Sequence, residues 1–501
     1  MTLDFLSQAD YFRALLPEIV LSLWAMAVLL MDVFQKGSRS EPSSRSIAWL
    51  SLAGLVVTAV ANYWLLGYTD AATTGLVAVD AFAVFSNFIF LIAAALSILV
   101  SIGFVDQEGI NRGEFYVLML FATVGMMLMA AARDLIVLFL ALELMSVGVY
   151  VLTGFNRNDP RSGEAALKYF LLGAFSSAFL LFGIALVFGS TGSTNLSVIE
   201  PLVGNGLAAN PMFLAGGAML LVGLAFKVAA VPFHMWAPDA YDGAPTPVSA
   251  FMATGVKAAA LAAVIRIFMV AFIGAYASWA IVVWWLAVLT MFGANLIATT
   301  EGSVKRMLAY SSVAHAGYLL VAVVSASAFG AAAFLFYLLV YTLMTVGAFA
   351  LVIANSRGGR ERVTLQDYAG YGWEQPLMGA CFTVFLLSLA GFPLTGGFMG
   401  KIFILRAALS SGMEMISVLL VISSLISYFY YLRVVVLMYM RPAPSAEAYQ
   451  GLTVSAPAKF AVVVAAVAVL ALFFVPGPVL GAAQHSVAAL FHSRGVFLGL
   501  R

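Results

Sequence analysis

Apolar runs of about twenty residues recur along this chain. A run of that length matches the hydrocarbon thickness of a bilayer when wound as a helix. Windows of this kind number roughly fourteen, and they predict a polytopic helical membrane protein. The charge content agrees: of 501 residues, 63% are hydrophobic and only 9% are charged. Nothing in the net charge of +1 and the dispersed basic residues suggests a nucleic-acid surface. The single cysteine, Cys381, cannot by itself supply an iron–sulfur cluster, a zinc site or an internal disulfide. The first apolar run is long enough to span and lacks a signal peptide's flanks, so it is expected to remain as a helix.

Two windows are too long for one crossing and carry helix breakers at mid-length. The seventh continues into VPFHMWAPDAYDGAPTP, with Pro232, Pro238, Pro245 and Pro247, and a break is expected near residues 228–232. The twelfth contains AGFPLTGGFMGK, with Gly391, Pro393, Gly396 and Gly397. Irregular backbone at membrane depth survives only where protein buries it or water reaches it. Both broken windows are therefore expected at an internal polar site.

Charge inside the windows points to the same place. An ammonium at the centre of a spanning helix costs about 2.5–3.5 kcal/mol on insertion scales, so such groups face a bundle interior or a wet cavity. Lys227, Lys257 and Lys401 are deep in their windows, as are Glu143 in the fifth and His315 in the tenth. Glu143 needs a cationic partner or a proton, and Lys227, at similar depth, is the expected partner. His315 can donate and accept at once, which suits a relay between lysines; a satisfied core histidine is the alternative. Lys168 is about one turn into the sixth window, where it can snorkel, pair with an acid or join the path. Arg266, Arg406 and Arg433, close to window ends, are expected to be structural. Together Glu143, Lys168, Lys227, Lys257, His315 and Lys401 form a candidate proton path across the membrane.

Lys and Arg distribution sets the orientation. Loops after odd-numbered windows hold Lys36, Arg39, Arg45, Arg112, Arg157, Arg161, Lys305, Arg306, Arg357, Arg360, Arg362, Arg441 and Lys459. The opposite side holds Arg13, Arg133, Arg494 and Arg501, so both termini are expected on the periplasmic side. The two broken windows lie five crossings apart, which turns the second block upside down relative to the first, the pattern of inverted repeats around a midplane site. The expected organisation is a three-helix segment over 1–110, a first repeat over 111–272, a second over 273–441, and a final helix with tail over 442–501.

The segment FKVAAVPFHMWAPDAYDGAPTPVSAF, the mid-helix glutamate and SSVAHAGY resemble the antiporter-like subunits of proton-pumping NADH:quinone oxidoreductase, respiratory complex I. Within that family the chain looks like the subunit N group, counterpart of mitochondrial subunit 2, rather than the longer L and M groups. The resemblance covers essentially the whole chain. It implies an all-α integral membrane fold of about fourteen helices, with two inverted five-helix repeats that each contain a discontinuous helix. It implies that Glu143 and Lys227 act as a pair, that Lys257 is the central lysine, that His315 bridges, and that Lys401 lies near the exit. It also implies that FMN, iron–sulfur clusters and quinone belong to partner subunits and that this chain binds no cofactor. The expected partners are the antiporter-like M subunit and the small K- and J-type subunits, in a bacterial inner membrane.

Overall fold

The computed structural model describes the chain except residues 1, 4, 6, 37–43, 71–74, 357–360, 446–447, 450 and 492–501. Its main helices are α1 (Leu16–Lys36), α2 (Ser44–Trp64), α3 (Ala81–Ser101), α4 (Glu114–Ala131), α5 (Leu135–Thr153) and α6 (Pro160–Thr191). The first broken helix consists of α7 (Pro211–Val228) and the short α8 (Trp236–Gly243). It is followed by α9 (Thr246–Ala271), α10 (Tyr276–Thr300), α11 (Val304–Val324) and α12 (Ala328–Ala354). The second broken helix is α13 (Pro376–Ala390) with α14 (Gly396–Ser410); α15 (Glu414–Met440), α16 (Ala456–Phe474) and α17 (Gly477–Phe491) complete the bundle.

Among the described residues, 13 helices are long and apolar enough to cross a membrane, and Pro376–Ala390 is a shorter apolar helix. The expected fourteen windows are thus all helical, with the twelfth divided into two halves. Among the helices outside the expected windows is α17, which follows the last window and packs on α12 and α3.

Helix starts follow local capping chemistry. The side chains of Asp80, Asp134, Ser303 and Ser327 accept from backbone N–H groups of the first turns of α3, α5, α11 and α12. Asp159 and Asn210 do the same for α6 and α7, each followed by a proline that needs no donor at the first helical position.

Burial divides the bundle. The apolar window of α9 is wholly enclosed, and α11 and α12 are nearly so. Helices α1, α2 and α6 instead present large apolar side chains outward, among them Phe34, Val60, Phe170 and Phe182. A helix that is apolar outward and polar inward is what lipid demands. The interior helices are also the irregular ones, since α9 contains π-helical turns at Met252–Val256 and Ile265–Ala271. The first of these immediately precedes Lys257, and π-helical turns widen a helix and free carbonyls near functional side chains.

Candidate functional site

Helix α7 stops at Val228 because Ala229 adopts a left-handed conformation, with φ +60°. The Ala230 N–H then bonds Ala225 O at 2.8 Å and the Ala229 N–H bonds Phe226 O at 2.9 Å, the double bond pattern of a Schellman stop. The freed backbone finds side-chain partners: Trp236 Nε1 donates to Phe226 O at 2.9 Å, and Thr290 Oγ1 accepts from Val231 N at 2.9 Å. Lys227, in the last turn, is thereby fixed beside the break with 1% exposure.

The second break repeats the motif. Gly391 has φ +84°, its N–H bonds Leu387 O at 3.0 Å, and Phe392 N–H bonds the same carbonyl at 2.9 Å. Here the lysine comes from the following half-helix. Lys401 Nζ donates to Ala390 O at 2.8 Å and to Leu389 O at 3.1 Å, so a cation caps the carbonyl-rich end of α13. A side chain at position 391 would meet the lysine, because an added Cβ falls 2.8 Å from Lys401 Cδ.

The other deep groups sit between the breaks. Lys257 and His315 are each 1% exposed and Lys401 is 7% exposed. Lys257 Nζ donates to Ser312 O at 2.6 Å and also to the Ser312 hydroxyl. His315, three residues further along α11, has Tyr337 Oη 2.6 Å from Nδ1 and Tyr431 Oη 3.3 Å from Nε2. The ammonium of Lys401 lies 4.6 Å from the centroid of Tyr318, whose ring packs edge-on to His315.

One expected partnership differs, and for Lys168 one of the open alternatives is realised. Lys227 and Glu143 form no ion pair; Lys227 Nζ donates to Ser146 Oγ at 2.7 Å and Tyr150 Oη at 2.9 Å, while Glu143 accepts from the Ser177 hydroxyl of α6. Ser146 lies one turn along α5 from Glu143 and accepts from the lysine that was expected to meet that acid. Lys168 does not join the buried row. Its helix face is exposed, and its ammonium pairs with Glu164 at 2.7 Å and Asp239 at 2.9 Å, where water can solvate all three groups.

The three arginines expected to be structural each make local contacts. Arg266 pairs with Asp80 at 2.7 Å, Arg433 donates to Thr299 O and Glu301 O, and Arg406 rests over the Phe329 ring.

Sequence reasoning missed the hydroxyls: Ser146, Tyr150, Ser177, Ser311, Ser312, Tyr337 and Tyr431. Ser146 and Tyr150 are three and seven residues after Glu143, a helical-face spacing that was available as a signal. It also missed a polar cavity of about 430 Å³, lined in part by Glu108, Asp159, Asp242, Lys305 and Glu361. Lys305 is 1% exposed there and pairs with Glu361 at 2.7 Å. Burial, then the nearby Glu361 charge, pushes the Glu108 carboxyl up to about 7, with Lys305 opposing.

Comparison with known proteins identifies the family. Residues 132–427 match the family described as NADH:quinone oxidoreductase/Mrp antiporter, transmembrane. NADH-quinone oxidoreductase subunit N of Trichlorobacter lovleyi is 46% identical over 483 residues, covering 96% of this chain and 98% of the relative. The subunit N of Chloroflexus aggregans is 41% identical over 487 residues, covering 95% and 97%. Among solved structures, a chain of respiratory complex I from Thermus thermophilus with bound aureothin superposes with a TM-score of 0.77 at 34% identity, covering 94% of this chain and 100% of that chain. A chain of the Mrp complex from Dietzia sp. DQ12-45-1b shares the fold, with a TM-score of 0.80 at 22% identity over 95% of this chain and 98% of that chain.

Proposed function

The chain belongs to the NADH:quinone oxidoreductase/Mrp antiporter family, in its subunit N group, and from that premise we propose that protons cross the membrane through its buried row of titratable side chains. As a multi-pass membrane subunit it translocates protons as part of a NADH:quinone oxidoreductase complex. In this reading Lys227, Lys257, His315 and Lys401 carry the proton in turn, and Glu143 governs the affinity of Lys227 from across Ser146. Lys168 holds the membrane border through its ion pairs and stays outside the path.

The observation that carries the reading is the burial of three lysines and a histidine in one bundle, with no carboxylate among the described residues forming an ion pair with any of the three lysines. Each ammonium bonds to hydroxyls or freed carbonyls, groups that stabilise it without fixing it as a static salt bridge. A static brace would place a carboxylate against each ammonium, as Arg266 has Asp80. Moving one proton against 100 mV requires about 2.3 kcal/mol. That energy comes from electron transfer between NADH and quinone in partner subunits, where we assign the FMN and iron–sulfur centres; one cysteine gives this chain no means of holding a cluster.

The neighbours in this reading are the antiporter-like M subunit and the small K- and J-type subunits. The membrane is a bacterial inner membrane with both termini on the periplasmic side, as the lysine and arginine bias favours. The matching stops at Ala229 and Gly391 support two inverted repeats over 111–272 and 273–441. The purified complex in sealed vesicles tests the transported ion. Proton uptake in step with NADH oxidation, unchanged when sodium is removed, is the expected result; sodium uptake in fixed ratio to NADH would contradict it.

A further inference from the structure

Between Lys257 and Lys401 the lysines and His315 do not connect by themselves. Two phenol hydroxyls, on helices remote in sequence, fill the places at either side of the imidazole. Tyr431, from α15, has its hydroxyl bonded to the Ser311 hydroxyl and 3.3 Å from His315 Nε2. Tyr337, from α12, has its hydroxyl 2.6 Å from Nδ1, with its ring nearly parallel to the imidazole. Both side chains are fully buried. Phenylalanine at either position would fill the space without the cost of burying a hydroxyl, so the hydroxyls call for a reason.

We propose that Tyr431 and Tyr337 are proton-relay residues that bracket His315, Tyr431 delivering the proton from the α11 serines and Tyr337 passing it on towards Lys401. This rests on the proton-path reading and adds its middle steps.

The chemistry follows from what each group can donate. A phenol hydroxyl gives one hydrogen bond and accepts others; a neutral imidazole gives at one nitrogen and accepts at the other. With Nδ1 protonated, the order is Ser311 to Tyr431, Tyr431 to Nε2, and Nδ1–H to Tyr337. A proton arriving at Tyr431 Oη forms an O–H bond as the hydroxyl's own proton crosses to Nε2. The Nδ1–H bond breaks as its proton reaches Tyr337 Oη, whose own proton leaves towards the neutral Lys401 amine. Every oxygen keeps its count, one positive charge has moved, and the ring is left in its other tautomer. Returning to the first tautomer resets the relay, which makes the ring the step where direction is imposed.

The outward side is built for close approach. Tyr337 packs against Gly400, the residue before Lys401: an added Cβ there would be 2.2 Å from the Tyr337 ring. On the inward side Ser311 and Ser312 are adjacent, so the serine bonded to Lys257 and the serine bonded to Tyr431 are neighbours on one turn.

The test uses the whole purified complex in vesicles, reading proton yield per NADH and the pH profile of coupled turnover. Tyr431→Phe and Tyr337→Phe are each expected to slow coupled turnover about a hundredfold, the low side of what a lost proton-transfer group costs. Tyr430→Phe, which removes the adjacent buried hydroxyl bonded to Asn295, is expected to leave the yield at the wild-type value. Replacement of Tyr431 by 3,5-difluorotyrosine keeps the shape and makes the phenol more acidic; the pH profile is expected to move. A Tyr431→Phe complex with wild-type turnover and yield overturns the relay, and so does an unmoved profile with difluorotyrosine, which decides the matter if Tyr431→Phe fails to assemble. Lys227→Ala separates the two levels of the argument: if it also pumps normally, the proton path itself falls, whereas if it alone fails, only the phenol relay does.

Discussion

Lys227 Nζ lies 2.7 Å from Ser146 Oγ, and Ser146 stands one turn from Glu143 on the same helix. The acid is therefore near its lysine without touching it, and it is held instead by Ser177 from α6. In the proposed path its charge acts on Lys227 without a direct contact, because opposite charges favour the charged form.

Glu143→Gln keeps size and hydrogen bonding and removes the charge. It is expected to preserve assembly and impair NADH-driven proton pumping strongly, while Glu143→Asp, with charge kept at shorter reach, is milder. Parallel assays of quinone reduction and proton yield on purified complex check this. Wild-type values for both in Glu143→Gln would reduce Glu143 to a structural counter-charge.

Ser312 offers Lys257 two acceptors, its carbonyl and its hydroxyl. Ser312→Ala removes only the second, so the expected effect is a partial loss of coupled turnover, smaller than that of Lys257→Ala. Hydrogen bonds to charged groups are each worth about 1.5–3 kcal/mol, which sets the scale of the change at the lysine. Steady-state rates of the two variants at one pH give the comparison, and equal losses would mean that the hydroxyl is indispensable.

Much of this was legible in the sequence, because lipid is a severe solvent. Apolar windows gave the spans, and Pro232 and Gly391 flagged the breaks. The ammonium groups of Lys227, Lys257 and Lys401 stood out against apolar surroundings. The hydroxyl partners did not stand out, since serine and tyrosine are tolerated in spanning helices anywhere they can bond a carbonyl of their own turn, as Ser51 and Thr58 do. Lys168 was ambiguous for a similar reason: one turn inside a helix, depth alone does not tell the interior face from the border. The direct pairing expected of Glu143 and Lys227 came from matching depth, which carries no information about helix rotation. The π-helical turn before Lys257 has no breaker residue to announce it, because MATGV reads as ordinary helix apart from one glycine.

Gly397 is the second residue of the half-helix that carries Lys401, and an added Cβ there would be 1.9 Å from Ser388 O. That neighbour is backbone and cannot swing aside. Gly397→Ala is expected to separate α13 from α14 and to cost about 1–3 kcal/mol, the usual range for overpacking. A lowered thermal midpoint of the purified complex, together with reduced proton yield, is the expected readout; an unchanged midpoint would show that the break relaxes freely.

Glu108 gives a stability prediction with a definite sign. Its carboxyl is pushed up to about 7 by burial and Glu361, above the unfolded value of about 4.3. Between those values the folded chain holds the proton more tightly than the unfolded one, so stability falls as pH rises from roughly 4.3 to 7. Glu108→Gln stays neutral and is expected to lose that part of the slope, gaining stability relative to wild type at pH 8 and little at pH 4. Thermal midpoints of both proteins across that range decide it, and parallel curves would contradict the assignment.

The central claim is that the buried lysines conduct protons. Lys257 is the test position, being fully enclosed and bonded to both the carbonyl and the hydroxyl of Ser312. The direct measurement is the number of protons moved per NADH oxidised by purified complex carrying Lys257→Ala, reconstituted in sealed vesicles, with assembly verified by subunit content. The account predicts a lower proton yield with all subunits present. A fully assembled Lys257→Ala complex that pumps with the wild-type yield would contradict it and leave this chain a structural spacer.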